Sequence, residues 1–69
     1  MKTNTDYQSA KAFLKTTAKT AKSEYKNDKP AQRMIINDTV DFLCKNYHFS
    51  EYKCDLLSLY SCKLHPKQH

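Results

Sequence analysis

An all-α fold, a compact three-helix domain, is what this 69-residue sequence predicts, and a few observations carry the prediction. Glycine is absent, although tight hairpins and phosphate-cradling loops need it for backbone positions of positive φ. Apolar residues recur at helical spacing, as in Tyr7, Ala10, Leu14, Ala18, Ala21 and Tyr25. The prolines, Pro30 and Pro66, stand where helices start or stop. One domain is expected over residues 1–69, near the lower size limit for folding on a hydrophobic core alone.

The first helix is expected over residues 6–26. Thr5 followed by Gln8 has the form of a capping box, and Asp6 suits the positive end of the helix. "KNDKP" ends it. At ~100° per residue its apolar stripe occupies an arc of roughly 80°. Lys11, Lys15, Lys19, Lys22 and Lys26 occupy another arc, centred about 100° round the cylinder. Ser9, Thr16, Thr20 and Ser23 make a third, uncharged face. The helix is zoned rather than mixed.

The second helix is expected over residues 30–46, with Pro30 in its first turn. Its main stripe is Ile36, Val40, Leu43 and Tyr47; Ile35 and Phe42 form a second apolar pair well round the cylinder. Burial on two sides follows, either between helices 1 and 3 or against another chain. Ser50 is a good N-cap for a third helix over residues 50–64. Pro66 disfavours helical geometry before it, leaving residues 65–69 as a polar, mobile tail. This helix carries Tyr52, Leu56, Leu57, Leu59, Tyr60 and Leu64 over nearly half its circumference, more than one core contact needs. That excess predicts a homodimer or a protein partner.

Val40 to Leu59 also has the spacing of a helix-turn-helix, so the second half is expected to be helix-turn-helix-like. His48 would stand at the turn, where a residue tolerant of left-handed geometry is needed. Leu56 and Leu59 would then face outward, where a base-reading helix carries Arg, Asn or Gln.

The net charge of +5 is unevenly placed. Residues 1–33 hold eight Lys/Arg against three Asp/Glu, and residues 34–69 hold four against four, so the excess lies wholly in the first half. The lysine face contains no acid, although ordinary helices intersperse Glu with Lys, and like charges four residues apart destabilise a helix by a few tenths of a kcal/mol. Lysines ~6 Å apart along an axis match successive phosphates or an acidic groove. No apolar run approaches the ~20 residues that cross a bilayer, and the alanine-rich stripe of helix 1 lacks bulky residues for insertion. A cytoplasmic protein without a membrane partner is expected.

Catalytic, cofactor and metal signatures are missing. The cysteines, Cys44, Cys54 and Cys62, are odd in number and read as small buried or half-buried hydrophobes. Cys44/His48 and Cys62/His65 have chelating spacing, but the pairs stand too far apart along the hairpin to share an ion. The carboxylate pairs Asp38/Asp41 and Glu51/Asp55 have no nucleophile or oxyanion donors beside them. The expectation is therefore a non-enzymatic basic binding protein without metal or cofactor. The leading form is a DNA-associated regulator, holding phosphates with Lys11, Lys15, Lys19, Lys22 and Lys26 and dimeric through helix 3 or the second face of helix 2. The alternative is a protein-binding inhibitor or adaptor of phage or plasmid type that blocks a larger host nucleoprotein complex. It would engage an acidic groove with the same lysines, and Tyr52, Leu56, Leu59 and Tyr60 would form its protein interface.

Overall fold

A computed structural model describes residues 2–66, with side chains from residue 6 onward. It contains α1 (Lys2–Glu24), α2 (Lys29–Tyr47) and α3 (Glu51–Cys62), with no strand among the described residues. The all-α, three-helix expectation holds. The bundle is elongated, 40 × 17 × 16 Å, because the 23 residues of α1 set its long axis. α1 packs chiefly on α2, α2 on α3, and α1 least on α3.

The helix ends differ from expectation in instructive ways. α1 begins ahead of the expected Thr5 cap, and the Thr5 side chain lies outside the described residues, as do residues 67–69 of the expected tail. α1 stops at Glu24 rather than Lys26. In the turn that follows, Gln32 of α2 donates through its Nε2 to the Tyr25 oxygen at 2.6 Å and the Lys26 oxygen at 3.4 Å. Asp28 caps α2 by accepting from the Ala31 N–H at 3.1 Å, with Pro30 in the first turn.

The α2–α3 turn is a Schellman arrangement. The Phe49 N–H donates to the Cys44 oxygen at 3.1 Å and the His48 N–H to the Lys45 oxygen at 3.3 Å. His48 takes the left-handed position, φ 55° and ψ 44°, that glycine would usually fill. Ser50 caps α3 as expected, accepting from the Lys53 N–H at 3.3 Å. α3 ends at Cys62 rather than residue 64, and the Leu64 and His65 N–H groups close a turn onto the Ser61 oxygen. Pro66 explains that stop.

Leu14, Ile36 and Leu57, one from each helix, are the fully buried large side chains. Each is worth roughly 1.5–3 kcal/mol of burial. Ala10, Ala18 and Ala21 let α1 approach closely, and Val40 and Leu43 complete the centre. Tyr25 corrects the expected stripe: it is 44% exposed because the helix has already ended. Cys62 is exposed rather than buried, while Cys44 and Cys54 are half-buried and all three are free. The Ile35/Phe42 face is not covered by α3. With Phe13 of α1 it lines an open groove between α1 and α2, where Phe13 and Phe42 are more than half exposed.

Candidate functional site

The lysine row divides in the structure. Lys11 is half-buried, and its ammonium lies 4.9 Å from the centre of the Tyr60 ring and 5.6 Å from that of Tyr7. Lys15, Lys19 and Lys22 remain exposed along α1, and Lys26 is exposed in the turn beyond it. Among the described residues no carboxylate lies in ion-pair range of these four, whereas Lys45 pairs with Asp41 at 3.2 Å within α2.

Tyr7 is the hub where α1 meets α3. Lys53 of α3 brings its ammonium to 5.8 Å from the Tyr7 ring. Phe49 meets Tyr7 edge-on at 6.1 Å and stacks on Tyr47 at 5.3 Å. Burial raises the Tyr7 hydroxyl above its ordinary pKa, and the neighbouring Tyr52 and Tyr60 phenols push the same way. Three tyrosines and two ammonium groups therefore share one region. Cation–ring contacts of this kind contribute about 0.5–1 kcal/mol each at partly exposed sites.

Beside that hub runs an apolar ridge on α3. Tyr52 is 70% exposed and Leu59 65% exposed, with Leu56 half-buried between them. Their i, i+4, i+7 spacing puts them on one side of the helix. Tyr60 belongs to both parts, packing on the core while receiving Lys11. The two groups of candidate residues, assigned to separate roles from sequence, thus meet at the Lys11–Tyr60 contact.

The remaining outward positions of α3 are Glu51, Asp55, Ser58 and Cys62, all exposed. A base-reading helix presents Arg, Asn or Gln there. The hairpin has the spacing of a helix-turn-helix without the side chains that read a groove.

At the far end His65 sits near Lys22 of α1 and Arg33 of α2. Burial lowers its imidazole pKa, and the Arg33 and Lys22 charges lower it further. Its Nδ1 is buried without a hydrogen-bond partner. Arg33, Lys53, Phe13 and Gln32 were not singled out by sequence reasoning. Phe13 carried the clearest signal, as the one bulky apolar residue on the flank of α1 away from the lysines.

No set of three or more metal-ligating side chains occurs among the described residues, and no described helix is long and apolar enough to cross a membrane. Compared with known proteins, the chain matches no family model, no curated protein and no solved structure.

Proposed function

We propose that this chain is a non-enzymatic binding protein that docks on an acidic protein surface through the α1–α3 face, in the manner of an inhibitor or adaptor. The observation that carries the reading is the seat of Lys11 over Tyr60, which joins the basic side of α1 to the apolar ridge of α3. Tyr52, Leu56 and Leu59 supply the central apolar contact. Lys15, Lys19 and Lys22 form a charged rim that steers the partner and sets its register. Such a centre and rim need a partner with both apolar and acidic groups. A phosphate backbone offers only the second.

A DNA-associated role is the second reading, favoured by one feature: exposed lysines at ~6 Å intervals without carboxylate partners suit successive phosphates. Capture of partners from the native host, with and without nuclease, separates the readings when paired with anisotropy on a random-sequence duplex. The protein reading expects a nuclease-resistant partner, lost in Leu59→Asp or Tyr52→Ala, and feeble duplex binding even at ~20 mM salt, where counterion release is most favourable. A nuclease-sensitive complex whose affinity falls with salt at a slope of about −0.9 per phosphate would transfer the function to DNA. Lys15→Gln, Lys19→Gln and Lys22→Gln together would then make that slope shallower. Sedimentation completes the test: a dimer split by Leu59→Glu assigns the ridge to a second copy instead.

A further inference from the structure

The opposite side of α3 faces α2 across a groove of about 360 Å³ lined by Asn37, Asp41, Cys44, Cys54 and Ser58. Cys44 lies in the last turn of α2 and Cys54 in the first turn of α3, and both are tied to the same turn residue. The Phe49 N–H donates to the Cys44 oxygen at 3.1 Å, and the Cys54 thiol reaches the Phe49 oxygen at 3.9 Å. Both cysteines line this one groove from facing helices. Cys62 is on the same helix as Cys54 but roughly 12 Å further along its axis, out of reach of Cys44.

We propose that Cys44 and Cys54 form an oxidisable dithiol site, whose co-substrate is a small peroxide admitted by the groove and whose product is a disulfide joining α2 to α3. The Cys54 thiolate attacks the peroxide O–O bond, giving a sulfenic acid on Cys54 and releasing water or an alcohol. The Cys44 sulfur then attacks the Cys54 sulfur. The S–S bond forms, the S–O bond breaks, and the departing hydroxide takes the Cys44 proton and leaves as water. With hydrogen peroxide the balance is two thiols and one peroxide to one disulfide and two waters; sulfur is oxidised and the peroxide oxygens are reduced.

The surroundings assign the order of attack. Burial, the Cys54 thiol and the Asp41 and Asp55 carboxylates push the Cys44 thiol up to about 12, so at neutral pH it keeps its proton and acts second. The second step, attack by Cys44, is correspondingly slow and quickens as pH rises. The bond closes a short loop across the hairpin and restrains the unfolded chain.

The test treats the full chain, dilute and at about pH 8, with hydrogen peroxide and then measures intact mass and protease-derived peptides. The Cys62→Ser variant removes the exposed thiol. The expected product is a monomer lighter by two hydrogens, containing a Cys44–Cys54 linked peptide that dithiothreitol releases. Its melting midpoint should rise by roughly 5 °C or more. Cys54→Ser and Cys44→Ser should each abolish the linked product. If Cys62→Ser yields only oxygen additions or intermolecular dimers, with no Cys44–Cys54 peptide, the proposal is overturned, and no variant of the pair itself need fold for that result.

Discussion

Lys11 on α1 holds its ammonium 4.9 Å from the centre of the Tyr60 ring on α3, across the sparsest of the three helix interfaces. A charge that looked free in the sequence is therefore part of the packing. In urea unfolding, a double-mutant cycle of Lys11→Met and Tyr60→Leu should give a coupling of about 0.5–1 kcal/mol. Coupling indistinguishable from zero would mean that the two are neighbours without attraction.

Leu57 and Leu59 are two positions apart and opposite in environment, fully buried and 65% exposed. Leu57→Ala should cost about 2–5 kcal/mol through a cavity at the centre. Leu59→Ala should change stability by less than ~0.5 kcal/mol and act on partner binding instead. Equal losses for the two would place the ridge inside the fold rather than on its surface.

His48 occupies left-handed backbone geometry that costs an ordinary L-residue roughly 1–2 kcal/mol. His48→Gly should stabilise the chain by up to about 1 kcal/mol by relieving that contact. His48→Val should destabilise it, because a β-branched side chain tolerates positive φ poorly. Melting midpoints of the two variants should therefore move in opposite directions.

Gln32 is 3% exposed and donates to the Tyr25 and Lys26 carbonyls in the turn after α1. Gln32→Leu keeps the bulk but removes that donor, leaving the Tyr25 oxygen with the Asp28 N–H alone, at a cost of about 0.5–1.5 kcal/mol. Faster amide exchange near residues 25–28 should accompany the loss. An unchanged melting midpoint would show that water replaces the side chain at no cost.

Stability should fall on both sides of neutrality. His65 has a folded pKa below its ordinary 6.5, so in acid the unfolded chain binds a proton that the folded one refuses. Its contribution is complete above 6.5 and is lost as pH falls through the folded pKa. Cys44 works in the other direction. Its folded pKa is about 12 against an ordinary 9.0, so the unfolded chain releases its proton first and stability falls as pH rises from 9.0 toward 12. Melting scans should show His65→Gln flattening the acid limb and Cys44→Ser the alkaline one.

What the sequence by itself determined is local. The buried stripes of Ala10, Leu14 and Ala18 and of Ile36, Val40 and Leu43, the Pro30 start, the Ser50 cap and the exposure of Lys15, Lys19 and Lys22 all follow from helical periodicity and end chemistry. These depend on residues within a few positions of one another. Only the tertiary structure decided that Lys11 turns to Tyr60, that Phe13 joins Phe42, that Cys44 and Cys54 line one groove and that Gln32 reaches the turn after α1. Periodicity fixes the angle of a side chain about its own axis, but not the rotation and slide of one helix against the next. Those are set by how Leu14, Ile36 and Leu57 fill a common centre. Contacts at the edges of that centre, where a long lysine stem or a buried amide chooses among competing partners, follow from the packing and were not legible beforehand.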